Sequence, residues 1–149
     1  MRYLVVATEK ELELPWAVNA LESGRTPIVT GVGGVNIIKA LRDLPKDSDI
    51  LNVGYCGGKG YAIGTVLNVG ECGSYHINVD FEEERFKLCS SDVLCLTSCD
   101  FVTTPKGLPF KCIVDMELAY ICALGFEKVF SIKYVSDYLN IEQYNEMVK

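Results

Sequence analysis

Short apolar runs rich in β-branched residues alternate with amphipathic runs along this chain, and the alternation limits the folds open to it. The apolar runs are bounded by turn residues and predict buried strands at residues 3–7, 26–30, 50–54, 65–69, 93–98 and 129–135. The amphipathic runs predict helices at residues 15–21, 35–44 and 116–124. The early strand–helix–strand–helix–strand order predicts an α/β fold with a mixed sheet flanked by helices.

One domain covering residues 1–149 is expected from the length and the composition. The chain has 149 residues, of which 49% are hydrophobic and 23% charged. A globular chain of this size buries roughly 70% of the surface that its unfolded form exposes. The glycine-rich stretch 54–73 predicts tight turns that join antiparallel strands.

The charge balance argues against nucleic acid and against an anionic membrane as partners. Twenty acidic residues outnumber 14 basic ones, and the net charge of −6 would repel a phosphate backbone. The N-terminus turns charged after about five apolar residues, which is too short for a signal-peptide core, and no apolar run approaches 18 residues. We therefore expect a cytoplasmic protein.

The seven cysteines do not have the spacing of a metal site. Their number is odd, no C-x-x-C pair occurs, and the sequence contains one histidine, His76. In a cytoplasmic chain such cysteines are expected to be reduced, small and mostly buried. We expect no metal and no cofactor.

A glycine cluster at residues 31–34 follows a predicted strand and opens a predicted helix. Backbone N–H groups in this arrangement point at an anion or a polar ligand. A dinucleotide-binding loop is disfavoured, because Asn36 stands where that motif needs its third glycine. The alternative is that the cluster is merely a tight turn.

Two carboxylates, Asp115 and Glu117, lie in the apolar passage IVDMELAYICALGF at residues 113–126. Burying a carboxylate costs roughly several kcal/mol unless the group is paired, hydrogen-bonded or protonated. Asp115 is expected to cap the helix that follows. Glu117 is either a first-turn glutamate favoured by the helix dipole or a group that serves chemistry. The same choice applies to Asp137, which is otherwise an N-cap of the terminal helix.

Several motifs, in the correct order, resemble those of the nucleoside phosphorylase superfamily and especially of 5′-methylthioadenosine/S-adenosylhomocysteine nucleosidases. The motifs are VVATEKE, TGVGGVN, DILNVGYCGG, GTVLNVG, SYHINVD, TSCDF, VDMELAYICALG and SIKYVSD. The resemblance implies a shortened three-layer α/β/α fold around a mixed, partly barrel-like sheet. It also implies an enzyme that cleaves the N-glycosidic bond of a purine nucleoside, with a small-molecule substrate and a homodimeric assembly.

The resemblance implies three catalytic residues. Glu117 would accept hydrogen bonds from the ribose hydroxyls, Asp137 would deliver or share a proton at purine N7, and Glu11 would orient the attacking water. Partial burial at the end of an apolar strand is expected to raise the pKa of Asp137. The substrate-binding residues implied in the same way are Thr30, Gly31, Phe101, Val102, Met116, Lys133 and Ser136.

Some positions depart from the family pattern. Lys133 replaces an arginine, which keeps the charge but loses the planar fork. A missing residue beside Phe101 leaves Asp100 as an alternative at the base-stacking position. The pair Tyr75–His76 matches the family, but we place His76 outside the catalytic set. Missing segments mean that specificity for the 5′ substituent does not transfer.

Hydrolysis is favoured over phosphorolysis. The first loop reads ATEKE, and its carboxylates would repel phosphate and suit water. The alternatives are a phosphate-dependent nucleoside phosphorylase and a purine-binding or nucleoside-binding module that has lost efficient catalysis.

Overall fold

The computed structural model describes residues 1–75 and 85–148, and within these ranges it contains nine strands, four α-helices and one 3₁₀ helix. The strands are β1 (Arg2–Val6), β2 (Thr26–Val29), β3 (Asp49–Lys59), β4 (Val66–Asn68), β5 (Glu71–Ser74), β6 (Phe86–Lys87), β7 (Leu94–Thr97), β8 (Cys112–Asp115) and β9 (Lys128–Asp137). The helices are the 3₁₀ helix (Glu9–Glu13), α1 (Pro15–Glu22), α2 (Gly34–Leu41), α3 (Leu118–Ala123) and α4 (Ile141–Val148). His76 and most of the motif SYHINVD lie outside the described residues.

All nine strands belong to one mixed sheet, as predicted from the sequence. The order is β2-β1-β3-β8-β7-β5-β6, with β9 paired to β3 and to β4. Strand β3 is parallel to β1 and β9 and antiparallel to β8. Within the described residues this path stays open and does not close into a barrel.

Strand β3 is the branch point of the sheet. Strands β1 and β8 pair with the same edge of β3. The first residues of β3 pair with β1, and its last residues, Gly57–Lys59, pair with β8. The other edge follows β9 along its length, with a register shift between Cys56 and Gly57. The branch brings the ends of β8 and β9 next to each other, and the cavity described below lies at this point.

The alternation of side chains along β1 produces the layers on its two faces. Leu4 and Val6 pack with Ala17 of α1 in one buried cluster. Tyr3 and Val5 pack in another cluster, which contains residues of α2 and α3. Because successive side chains of a strand point to opposite faces, one apolar strand supports helices on both sides. The predicted layered α/β fold is thereby confirmed.

The prediction that stretch 54–73 joins antiparallel strands by tight turns is wrong. Residues up to Lys59 continue β3, and β4 pairs with β9 rather than with β3 or β5. Turns do occur at Gly60 and Gly64, whose φ angles are 86° and 90°. The glycines within β3 serve close approach instead: a Cβ on Gly58 would lie 2.8 Å from the Val135 side chain.

Candidate active site

A cavity of about 270 Å³ opens where β3, β8 and β9 meet. Glu11, Glu117 and Asp137, far apart in the sequence, all line it. The other lining residues are Ala7, Thr8, Val32, Tyr55, Cys56, Gly57, Asp100, Phe101, Val102, Val114, Asp115, Met116 and Tyr144. The structure therefore brings the three predicted catalytic carboxylates to one site.

The carboxylate of Glu11 is fixed by three backbone N–H groups. Its Oε1 accepts hydrogen bonds from the N–H of Ala7 (2.8 Å) and of Thr8 (3.2 Å). Its Oε2 accepts one from the N–H of Tyr55 (2.9 Å), on strand β3. Donors of this kind limit side-chain rotation. Glu11 is therefore an oriented carboxylate at the edge of the cavity.

The position of Glu11 depends on the absence of a side chain at Gly54. A Cβ added to Gly54 would lie 2.8 Å from Oε2 of Glu11. We predict that Gly54→Ala lowers the free energy of unfolding by roughly 1–3 kcal/mol, because the Glu11 carboxylate cannot move aside without losing hydrogen bonds to the backbone. Urea unfolding of the variant measures this cost.

A double-mutant cycle separates this contact from a general effect of the extra methyl group. In a Glu11→Ala background the nearest atoms are gone, and Gly54→Ala is expected to cost less by roughly 0.5–3 kcal/mol. An equal cost in both backgrounds would show that Gly54 is needed for another reason.

Glu117 is the residue immediately before α3, and its carboxylate contacts the glycine cluster at the start of α2. The N–H of Gly33 donates to its Oε2 at 3.0 Å. The side chain is buried, and burial together with repulsion by Asp115 raises the pKa of Glu117 to about 7, against the opposing effects of Lys133 and the Gly33 N–H. The polar partner of the glycine cluster is thus this carboxylate.

Asp137 ends strand β9 and is held by a turn. The hydroxyl of Ser136 donates to its Oδ2 at 2.7 Å, and the N–H groups of Leu139 and Asn140 donate to its Oδ1 at 2.9 and 3.2 Å. Burial raises the pKa of Asp137, and these hydrogen bonds offset the rise only in part. This direction agrees with the shift expected from the sequence. The turn requires Leu139 to adopt a φ of 66°, a conformation that is unfavourable for a leucine.

The structural alternative for Asp137, an N-cap of the terminal helix, is not what the structure shows. Helix α4 begins at Ile141, and the side-chain oxygen of Asn140 accepts the N–H groups of Glu142 and Gln143 at 2.9 and 3.0 Å. Asn140 therefore caps α4. The carboxylate of Asp137 organises the turn before the helix and faces the cavity.

Lys133 does not line the cavity. It is fully buried, and its Nζ lies 3.0 Å from Oδ2 of Asp115, with side-chain exposures of 1% and 0%. Burial is the largest single effect on both groups and disfavours both charges, but the opposing effects together outweigh it. The charge of Lys133 and the hydrogen bonds to Asp115 lower the pKa of Asp115, and the charge of Asp115 with other nearby acidic groups raises the pKa of Lys133. Asp115 also accepts hydrogen bonds from the Thr97 hydroxyl (2.6 Å) and the Leu118 N–H (2.8 Å). Asp115 therefore accepts the first N–H of α3, as predicted for a capping side chain, but the N-cap position itself is held by Glu117, which was predicted to lie in the first turn. The ion pair with Lys133 was not predicted.

The remaining predicted residues divide into two groups. Phe101, Val102 and Met116 line the cavity, as does Asp100, so both candidates for base stacking are present. Outside the lining are Thr30, Gly31 and Ser136. The Thr30 hydroxyl donates to the Gly31 carbonyl at 2.7 Å, and Ser136 reaches the site through Asp137.

Tyr144 of α4 was not identified from the sequence. Its ring contacts Phe101 edge to face, with 5.3 Å between the ring centroids, and it lines the cavity. Burial raises its pKa, and the nearby Glu11 and Glu117 add to the rise. The sequence carried one signal for this role, because an aromatic residue on a short polar helix indicates the face that packs against the protein.

The lining is rich in acidic residues. Five acidic residues contribute to it: Glu11, Asp100, Asp115, Glu117 and Asp137. Among the described residues no lysine or arginine lines the cavity. The described residues contain no cluster of three or more potential metal ligands and no helix suited to crossing a membrane.

The fold is similar to that of solved 5′-methylthioadenosine/S-adenosylhomocysteine nucleosidases and of a futalosine hydrolase. The 5′-methylthioadenosine/S-adenosylhomocysteine nucleosidase of Neisseria meningitidis, solved with methylthio-immucillin-A, matches with a TM-score of 0.73 at 20% identity, covering 99% of this chain and 91% of that one. The Streptococcus pneumoniae enzyme, solved with a transition-state inhibitor, matches with a TM-score of 0.74 at 17% identity, covering 99% and 92%. Futalosine hydrolase of Helicobacter pylori matches with a TM-score of 0.69 at 12% identity, covering 99% and 90%.

The likeness is one of structure. No protein-family model matches the sequence, and no curated protein matches it. The resemblance predicted from the sequence motifs is confirmed at the level of the fold.

Proposed function

We propose that this protein hydrolyses the N-glycosidic bond of a purine nucleoside. The observation that carries the proposal is the convergence of Glu11, Glu117 and Asp137 on one cavity of the nucleosidase fold. In such a hydrolysis the C1′–N9 bond breaks, a water oxygen bonds to C1′, and the purine leaves with a proton. The ribose becomes positively charged as the bond stretches, and the base becomes negatively charged. Carboxyl groups can assist at both ends.

Glu117 acts on the sugar in this proposal. Its ionised carboxylate accepts hydrogen bonds from the ribose hydroxyls and stabilises the positive charge that develops on the ring. Burial makes this interaction stronger than it would be in water. Met116, next to it in the lining, packs against the sugar.

Asp137 acts on the base. A proton delivered to purine N7 neutralises the leaving group, and an aspartic acid can hold that proton when its pKa is raised. The direction of the pKa shift at Asp137 supports this role. The ring of Phe101 stacks on the face of the purine in this proposal, and the ring of Tyr144 packs edge to face against Phe101.

Glu11 acts on the water. Its oxygens already accept three N–H hydrogen bonds, which hold the carboxylate in a fixed direction. A positively charged sugar is attacked readily by neutral water, whose proton need leave only after bond formation. The task of Glu11 is therefore orientation.

Water is favoured over phosphate as the nucleophile by the charge of the lining. Phosphate would have to approach several carboxylates without a lysine or arginine among the described lining residues. Lys133, a buried cation near the cavity, is already paired with Asp115. Repulsion between like charges in a partly dehydrated site disfavours a phosphate dianion.

A nucleoside panel tests the proposal. Adenosine, inosine, 5′-methylthioadenosine and S-adenosylhomocysteine are each incubated with the protein, with and without inorganic phosphate, and free base is measured by chromatography. We expect release of free base at a rate that does not depend on phosphate, and we expect that base to be adenine. Asp137→Asn, which cannot hold the transferable proton, is expected to slow release by roughly 10²–10⁴-fold.

The panel also distinguishes the alternatives. Strict dependence on phosphate would identify a phosphorylase. Binding of a nucleoside without release of base, unchanged in Asp137→Asn, would identify a binding module. Asp47→Asn is a suitable control, because that exposed aspartate lies outside the cavity and should leave the rate unchanged.

A further inference from the structure

Two cysteines from distant parts of the chain face each other away from the cavity. Cys72 lies on β5 and Cys122 on α3, and their sulfur atoms are 3.4 Å apart. The thiol of Cys72 donates to the sulfur of Cys122, so the two sulfurs are in direct contact. Both thiols are free.

The two thiols differ in their access to solvent. Cys72 is fully buried, whereas Cys122 is half-buried and lines a second cavity of about 180 Å³. Lys87 and Lys128 also line this second cavity. A small neutral oxidant can therefore reach Cys122 first. Cys72, which is buried and in contact with Cys122, can act as the second thiol.

We propose that Cys72 and Cys122 form an oxidisable dithiol site that hydrogen peroxide converts into an intramolecular disulfide. In the first step the Cys122 sulfur attacks one peroxide oxygen, the O–O bond breaks, and water leaves after proton transfer. In the second step the Cys72 sulfur attacks the Cys122 sulfenic acid, the S–O bond breaks, and a second water carries away the Cys72 proton. Both sulfurs are oxidised and the peroxide is reduced to two waters.

The environment of Cys72 supports this order of events. The hydrogen bond to Cys122 and burial raise the pKa of the Cys72 thiol, so it is a poor first nucleophile toward peroxide. Contact with Cys122 gives it a high effective concentration in the second step. The distance between the two sulfurs must still shorten by roughly 1 Å or more, because a disulfide bond is about 2.05 Å long. A rotation of the half-buried Cys122 side chain can supply this movement.

Cys95 and Cys99 are the competitors to consider. Cys95 is opposite Cys72 in the register of β5 and β7, but it is fully buried and cannot meet the oxidant first. Cys99 is exposed and can be oxidised, yet its thiol contacts Asp100 rather than another cysteine. The proposed site is distinguished by having one reachable sulfur and one partner in contact.

The experiment uses the full, reduced chain treated with hydrogen peroxide under native conditions. Remaining thiols are then alkylated in denaturant, and tryptic peptides are analysed by mass spectrometry. We expect one dominant cross-link, between Cys72 and Cys122, with the loss of two alkylatable thiols and full reversal by dithiothreitol. Cys99→Ser, the matched control, should give the same cross-link.

Further measurements separate a preformed site from random oxidation. Cys122→Ser and Cys122→Ala should both lose the cross-link and leave Cys72 alkylatable, with an unchanged circular dichroism spectrum as the check on folding. In urea the preference for the Cys72–Cys122 pair should disappear. A native cross-link from Cys72 to Cys95, a Cys122 oxidised to sulfinic acid beside an intact Cys72 thiol, or the same product mixture in urea would each overturn the proposal. None of these readouts depends on nucleoside hydrolysis, so the two proposals fail independently.

Discussion

Replacing Lys133 by methionine is expected to lower the free energy of unfolding by roughly 3–5 kcal/mol, because the change removes one partner of a buried ion pair. The ammonium of Lys133 and the carboxylate of Asp115 are 3.0 Å apart, and their side chains are 1% and 0% exposed. Without the lysine, Asp115 must either remain charged in an apolar interior or take up a proton. Urea unfolding at pH 7 measures the loss.

The double variant Lys133→Met with Asp115→Asn is the matched control. It removes both charges, and the single oxygen of asparagine can still accept the hydrogen bond from the Leu118 N–H, while its NH2 group can donate to the Thr97 hydroxyl oxygen. We expect it to recover most of the stability lost in Lys133→Met, since buried ion pairs contribute little beyond a neutral, well-packed pair. A single variant that costs less than about 1 kcal/mol would contradict the idea that Asp115 is ionised in the folded protein.

The layered fold could be predicted because its main strands carry a strong local signal. Strands β1 and β9 and the start of β3 were each located within one or two residues, whereas the glycine-rich end of β3 was predicted as turns. The missed strands, β5, β6 and β8, have two to four residues. Strands β2, β4 and β7 are similarly short and were located, so length alone does not explain the misses. Short strands depend on pairing with distant neighbours, as β8 does between β3 and β7, and a local pattern therefore locates only some of them.

The start of α3 shows how tertiary contacts move a boundary. The sequence predicts a helix from residue 116, whereas α3 begins at Leu118. The N–H of Leu118 donates to Asp115, and the Glu117 carboxylate is drawn to the N–H of Gly33. A contact between residues 84 positions apart has no signature in a local pattern.

The partners within the site were the least predictable part. Resemblance supplied the identities of Glu11, Glu117 and Asp137, but it placed Lys133 at the substrate. The alternation along β9 carried a signal for the observed position, since Lys133 shares its face with Ser131 and Val135, and all three are buried. The carboxylate that pairs with a buried lysine cannot be predicted from the local sequence, because it depends on the order of the strands. That order is decided by long-range strand pairing.

Replacing Glu117 by glutamine is expected to abolish most catalysis while stabilising the fold. Loss of one charge aimed at the transition state typically costs roughly 10²–10³-fold in rate. The stability gain arises because the folded protein holds Glu117 in a buried site next to Asp115, where its ionised form is unfavourable. Glutamine keeps an oxygen for the Gly33 N–H and carries no charge.

The pH dependence gives the sign of the stability effect. In the unfolded chain Glu117 titrates near the usual 4.5, and in the folded protein near 7, so the folded state binds the proton more tightly between these values. The contribution of Glu117 to stability is therefore present below pH 4.5 and is lost as the pH rises through about 7. Glu117→Gln should match the parent near pH 4.5 and exceed it by roughly 1–3 kcal/mol at pH 8.

Urea unfolding at several pH values, together with release of purine base, checks both halves of this prediction. Glu13→Gln is the matched control, because Glu13 is a glutamate with 69% of its side chain exposed, and it should stay within about 0.5 kcal/mol of the parent with an unchanged rate. A Glu117→Gln variant that lost stability at pH 8 would identify Glu117 as a structural anchor for the start of α2. A variant that kept full activity would move the sugar-binding carboxylate elsewhere. Loss of rate combined with gain of stability is the result that a carboxylate retained for chemistry requires, since folding alone would favour a neutral side chain there.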